Sequence, residues 1–278
     1  MSVLKEIIAG VRIDLDARRS IRNHAQIELD AAQAAPALDA FAALGGGEPG
    51  ARDHVMRVIS EVKRKSPSKG VLAQIGEPAE LAKAYAVGGA AVISVLTEER
   101  RFGGSLADFD AVRAAVGVPL LRKDFTIDAY QIHEARAHGA DLVLLIVAAL
   151  DDEQLREFLD LTHALGMNAL VETHTDEEVA RAVALGSRII GVNVRNLKTL
   201  EVDRGNFARL ATAIPSDVVV VAESGVRDVT DVEHYAAHGA DAVLVGEALV
   251  KDNDPRAAIE AFIQAGTAAK PVRTRQTP

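Results

Sequence analysis

The chain has no cysteine and no tryptophan, and only 4% of its 278 residues are aromatic. Without cysteine there is no disulfide framework, no thiolate metal site and no cysteine nucleophile, so structural zinc is not expected and no metal is assigned. With so few rings, the core must be built from Val, Ile, Leu and Ala. Long apolar runs are also missing. The longest, residues 142–150, is about half of the ~20 residues that a bilayer requires. The start, Met1-Ser-Val-Leu-Lys-Glu, lacks the charged-then-apolar order of a secretory signal. No membrane association and a cytoplasmic location are therefore expected. Positive charge is in deficit, with a formal net charge of -9, which argues against a nucleic-acid footprint. An anionic ligand would need a local, concave positive site.

What is present is a loose repeat. A helix-ending small pair followed by a β-branched run recurs at residues 89–95, 139–145, 186–192 and 239–245, with first glycines 50, 47 and 53 positions apart. Solenoid and propeller signatures are missing, and each interval has room for two strand-plus-helix units. The intermediate strands fall at residues 55–63, 119–124, 168–173 and 218–224, short and apolar as strands covered on both faces should be. Helix starts stand between them: Glu77-Pro78-Ala79-Glu80, Asp128, Asp151-Asp152-Glu153, and Thr175 with Glu178 at capping-box spacing. Eight alternations with no Pro/Gly/Ser-rich linker predict an α/β protein, a single (β/α)8 TIM barrel with an N-terminal helical extension. A doubly wound open sheet would show a Gly-rich fingerprint after the first strand, and none is there.

The boundaries read as an extension over residues 1–48, a barrel over 49–266 and a flexible tail over 267–278. Within the extension, residues 3–18 are amphipathic and residues 31–43 are Ala-rich, both read as helix with a stabilising role.

Function in such a barrel gathers at the carboxyl ends of the strands. The predicted ends carry Glu61 and Lys63, Lys123, Glu172, Asn193, and Glu223 with Ser224. A single charge at a strand end is ordinarily a solvated terminus. Glu61, Lys63, Lys123, Glu172, Asn193 and Glu223 around one rim must share a pocket and perturb one another's protonation, which favours acid–base chemistry. Glu61 and Lys63 are two apart, so both face the mouth while Val62 faces the helices. His174 and Asp124 lie one residue past the inward positions and are expected behind the site. Gly225 and Gly246 follow the last two strands, where barrels often bind phosphate through backbone N–H groups, although either could be only a tight turn. Opposite them, the first loop carries Lys63, Arg64, Lys65 and Lys69, which makes a phosphorylated small molecule the expected ligand.

At these residues the sequence resembles the indole-3-glycerol phosphate synthase family. The segments that carry the resemblance are Ser60-Glu61-Val62-Lys63-Arg64-Lys65-Ser66-Pro67-Ser68, Arg101-Phe102-Gly103-Gly104, Leu121-Arg122-Lys123-Asp124-Phe125, Leu170-Val171-Glu172-Thr173-His174, Gly191-Val192-Asn193-Val194-Arg195-Asn196 and Ala222-Glu223-Ser224-Gly225. Each segment alone is weak; the ordered set is specific and covers nearly the whole chain.

The resemblance implies closure of 1-(2-carboxyphenylamino)-1-deoxyribulose 5-phosphate to indole-3-glycerol phosphate in tryptophan biosynthesis, a carboxy-lyase reaction without a cofactor. It implies Lys123 as the acid at ring closure, and Lys63 as a holder of the anionic groups and an acid for dehydration. Glu172 would be the base or the partner that positions Lys123. Glu61, Asn193, Glu223 and Ser224 would orient hydroxyls and stabilise charge. Ser66, Phe102, Phe125, Leu144, Arg195, Leu200, Gly225 and Gly246 would contact the substrate. Val194, Thr173 and Glu247 depart from residues common in the family, and a Glu247 carboxylate beside phosphate would have to point away. A monomer is expected. Two other readings of the residues stand beside this one: a barrel aldolase with a Schiff base on Lys123, and a degenerate barrel that only binds a phosphometabolite.

Overall fold

The computed structural model describes residues 3–47, 54–66, 70–71, 77–196, 199–251 and 253–271. Eight parallel strands close a barrel: β1 (Arg57–Val62), β2 (Val92–Leu96), β3 (Leu120–Lys123), β4 (Leu142–Ile146), β5 (Asn168–Thr173), β6 (Ile189–Asn193), β7 (Val219–Glu223) and β8 (Ala242–Val245). Each strand pairs with its successor, and β8 returns to β1 with Arg57 opposite Ala242. A helix follows every strand, as the alternation in the sequence predicts. Three predicted caps are present: Asp128, Asp151 and Thr175 each accept a backbone N–H at the start of a helix.

The two-residue period of the strands divides the apolar residues between two cores. Ile59, Leu121, Leu144, Leu170, Ile189 and Val221 fill the barrel interior. Val58, Ile93, Leu120, Val143 and Val192 face outward and pack under the helices. Burying such side chains contributes roughly 1.5–3 kcal/mol each. Stepping two residues up from the inner set reaches Glu61, Lys123, Glu172 and Glu223, so the same alternation that builds the core delivers the charged residues to its upper end.

The extension differs from its sequence reading. Helix α1 (Val3–Ile21) packs Val3, Ile7 and Val11 against Phe125 and Ile127 at the mouth. Helix α2 (His24–Gln33) is opened by Asn23 and Gln26 in a capping box and leans on the barrel helix Ala129–Ala137. The Ala-rich stretch is not one helix: Ala34 turns extended, and the chain resumes helix only at α3 (Ala40–Ala43). Pro36 explains the break, because it has no N–H to donate and drives the preceding residue out of the helical region. Helix α3 plugs the far end of the barrel. There Phe41 and Leu44 join the interior core, Phe41 N–H donates to Asn168 Oδ1 at 3.0 Å, and the Arg188 guanidinium sits 3.9 Å from the Phe41 ring centre. The extension thus runs from the mouth of the barrel to its floor.

At the other end the last helix runs to Ala269, past the expected start of a loose tail at Thr267. Thr267 accepts the Met56 N–H at 3.0 Å, and buried Lys270 pairs with Asp241 at 3.2 Å, so both residues are tied to the barrel. Residues 272–278 lie outside the described residues.

Candidate active site

The strand ends surround a cavity of about 210 Å³. Its walls include Glu61, Lys63, Lys123, Glu172, Asn193, Glu223 and Ser224, together with Phe102, Phe125, Leu144, Arg195, Leu200, Gly225 and Gly246. Ser66 belongs to the two-residue strand Lys65–Ser66 beside the mouth, and its side chain falls outside the described residues.

Lys123 is the centre of the arrangement. Its ammonium lies 2.8 Å from Glu223 Oε2 and 3.6 Å from Glu172 Oε2. Burial by itself would push the Lys123 pKa down; the nearby Glu223, Glu172 and Glu61 carboxylates more than reverse this and raise it. The three carboxyl groups respond differently to the same enclosure. Glu61 is desolvated too, but Lys63 and Lys123 outweigh the burial and hold its pKa low. Glu172 is likewise lowered, because Lys123, His174 and Asn193 overcome its desolvation. Glu223 moves the other way, since burial and the like charge of Glu172 exceed the pull of Lys123. The cavity floor therefore holds a fixed cation between a carboxylate and a carboxyl group that favours its proton, a combination suited to passing protons. Lys63 ion-pairs with Glu61 at the rim of the same cavity.

These groups are held from behind. Asn193 Nδ2 donates to Glu172 Oε1 at 3.1 Å while its Oδ1 accepts the Arg195 N–H at 3.0 Å. His174 Nε2 lies 3.3 Å from Glu172 Oε1, and its Nδ1 lies 3.2 Å from Glu178 Oε2. Burial opposes the charged imidazole, yet the two carboxylates raise its pKa to about 10. Glu178, expected to close a capping box on Thr175, instead accepts the His174 N–H at 2.7 Å. Asp124 accepts from Thr97 Oγ1 at 2.7 Å and from Arg122 Nη2 at 3.1 Å, and it also borders the cavity.

Backbone shape matters at two places. Ser224 and Leu200 have φ of 69° and 63°, and Gly225 follows with 80°. Two of the three described non-glycine residues with positive φ thus line this cavity, a strain found preferentially at functional sites. Gly191 lies on the inner face of β6. A Cβ there would sit 2.0 Å from Glu223 Oε1, so the glycine makes the space that Glu223 occupies.

Several wall residues escaped the sequence reading. Val3, Leu4 and Ile7 of α1 roof the cavity, and Leu96, Ile146, Val226, Leu244 and Val245 add to its apolar lining. The helical period of Val3, Ile7 and Val11 was visible, but periodicity does not say what a face packs against. The Phe102 and Phe125 rings, with centroids 6.1 Å apart, continue this apolar side. Glu247 is exposed at the rim.

A sequence profile described as indole-3-glycerol phosphate synthase matches residues 4–262. The protein of that name from Paenarthrobacter aurescens (strain TC1) is 64% identical over 273 residues, covering 98% of this chain and 100% of that protein. Its counterpart from Arthrobacter sp. (strain FB24) is 65% identical over 269 residues, covering 97% and 98%. Among solved structures, a 3-hexulose-6-phosphate synthase superimposes with a TM-score of 0.60 at 19% identity, covering 78% of this chain and all of that one. That last likeness speaks for the barrel alone. Matched from its first helix to its last, the chain belongs to the indole-3-glycerol phosphate synthase family.

Proposed function

We propose that the chain closes the indole ring of 1-(2-carboxyphenylamino)-1-deoxyribulose 5-phosphate, releasing carbon dioxide and water. The observation that carries this reading is the Lys123 ammonium fixed between Glu172 and Glu223 on the floor of a cavity walled by Phe102 and Phe125. As the ring carbon attacks the ketone, negative charge grows on the ketone oxygen. An alkoxide is a far stronger base than either flanking side chain, so Lys123 gives its proton there despite its raised pKa. Expulsion of carbon dioxide then restores the aromatic ring.

Dehydration needs an acid at the leaving hydroxyl and a base for the ring-side proton. Lys63, after holding the substrate's anionic groups, supplies the first, and Glu172 takes the second. Glu61, Asn193, Glu223 and Ser224 hold hydroxyls in line. Phosphate rests on the backbone N–H groups at Gly225 and Gly246, and Arg195, Leu200 and Leu144 complete the contacts. These side chains account for every proton that moves, and the reading needs no cofactor. We take the enzyme to act as a cytoplasmic monomer; no described helix is long and apolar enough to cross a membrane.

The aldolase reading fits less well, because a Schiff base needs a neutral amine and the Lys123 pKa is raised. Purified protein and substrate decide the matter. The chain has no tryptophan, so the product's indole fluorescence rises against a dark background. We expect that rise together with one carbon dioxide per turnover. Borohydride capture of substrate on Lys123, or no indole signal, would refute the proposal.

A further inference from the structure

On the outer wall of the barrel, α2 and the helix Ala129–Ala137 bring three ligand-bearing side chains together. His24 and Glu28 stand one turn apart on α2, and His133 faces them from the barrel helix. His24 Nε2 is 3.2 Å from Glu28 Oε1, and His133 Nε2 is 3.8 Å from the same oxygen. One donor atom from each residue lies within 4.8 Å of the other two, and among the described residues no other group of three His, Cys, Asp or Glu has this spacing.

We propose that His24, Glu28 and His133 bind a zinc ion that pins α2 to the barrel, with water in the fourth position. Two imidazoles and a carboxylate are a zinc ligand set, and the missing cysteines exclude only the thiolate kind. Zinc–nitrogen bonds of ~2.0–2.1 Å in a tetrahedron put ligand atoms roughly 3.3 Å apart. The Glu28 pairs, at 3.2 and 3.8 Å, are already near that spacing, and no pair of ligand atoms has to close by more than about 1.5 Å. His24 and Glu28 are about half exposed and free to turn, whereas the His133 side chain is only 12% exposed and fixes one corner. The His24 ring already meets the His133 ring edge-on, with centroids 5.6 Å apart.

Two nitrogen donors disfavour magnesium and calcium, which prefer oxygen. The guanidiniums flanking the site in sequence are engaged elsewhere, Arg19 by Asp128 and Arg22 by Asp30. His133 Nδ1 is buried with no hydrogen-bond partner, which leaves Nε2 as the nitrogen turned toward Glu28. A ligating histidine without an acceptor behind it forfeits about 10–100-fold in affinity, so this is a weaker zinc site than a fully supported one. Its effect is mechanical. α1, which roofs the cavity, leads directly into α2, so a metal bridge here holds the roof from outside the reaction chamber.

The competing surface pair is His234 and His238, whose rings are 4.4 Å apart. There the His238 Nδ1 is taken by the His234 carbonyl at 2.7 Å, and that pair serves as the control. Tag-free full-length protein is titrated with Zn²⁺ alone by calorimetry, beside His24→Ala, Glu28→Gln, His133→Gln and His238→Ala. We expect one zinc per chain in the parent and in His238→Ala, with at least tenfold weaker binding in the other three. Zinc at a hundredfold excess over its Kd should raise the parent Tm by several degrees and leave that of His24→Ala unchanged. Should His133→Gln not fold, exposed His24→Ala decides. The proposal is overturned by absence of saturable zinc binding, by unchanged affinity in His24→Ala, by loss in His238→Ala, or by equal binding of Mg²⁺.

Discussion

Gly191 touches no substrate in this account, yet adding one methyl group to it should nearly silence the enzyme. An alanine Cβ would lie 2.0 Å from Glu223 Oε1 and 3.2 Å from Leu170 Cδ1, whereas ordinary contact begins near 3.4 Å. The carboxyl group would have to retreat by about 1.4 Å. A displacement of that size is enough to take its hydrogen bond to Lys123, now 2.8 Å long at Oε2, out of range. Misplacing a reacting group by ~1 Å costs on the order of 10²-fold in rate. The strand and core pay less: overpacking costs about 1–3 kcal/mol, offset by the roughly 0.5–1 kcal/mol that alanine gains over glycine in a strand. At 25 °C the variant should be folded, with a Tm lowered by a few degrees and kcat down about a hundredfold. Indole fluorescence gives kcat, and circular dichroism gives Tm. Adding Gly191→Ala to Glu223→Ala should then change kcat little, since the group it displaces is gone. A Gly191→Ala kcat within twofold of the parent would refute the reasoning, as would full additivity of the pair.

Other consequences follow from the same geometry. Lys63→Ala should weaken substrate binding and lower kcat together, measured as separate changes in Kd and kcat; a change in only one of them would contradict its double role. His174 has its pKa raised to about 10, so the stability it lends is fully present below its ordinary value near 6.5 and is lost as pH rises through 10. Urea denaturation should therefore show the advantage of parent over His174→Gln shrinking by up to about 1.4 kcal/mol per pH unit between pH 7 and 10; a constant difference would remove the charged imidazole from the account. Phe41→Ala leaves a hole at the barrel floor and should cost about 3–5 kcal/mol, lowering Tm by roughly 10 °C. An unchanged Tm would mean that α3 is not a plug.

The barrel was legible because its repeat is chemical: a helix-ending glycine, a β-branched run and a polar strand end recur around the chain. The candidate site was legible for the same reason, as residues two steps beyond buried apolar positions must share their face, and Glu61, Lys123, Glu172 and Glu223 do. What could not be read were contacts between distant segments. Nothing local in residues 3–18 says that Val3, Leu4 and Ile7 roof a cavity, and only Pro36 hinted that the Ala-rich stretch would break before Phe41 enters the barrel floor. His174 stands behind the inward positions, as expected, and clasps Glu172 there, whereas Asp124 comes closer than expected and borders the cavity itself. Gly191 carried no signal at all, since its role depends on a carboxyl group from the neighbouring strand.

In the proposed reaction Lys123, fixed between Glu172 and Glu223, delivers the proton for ring closure. Measuring kcat and substrate affinity side by side for the parent and Lys123→Ala isolates that role. We expect a fall in kcat of several orders of magnitude with substrate Kd within a few-fold of the parent. Retention of kcat within tenfold, or a loss confined to Kd, would contradict it.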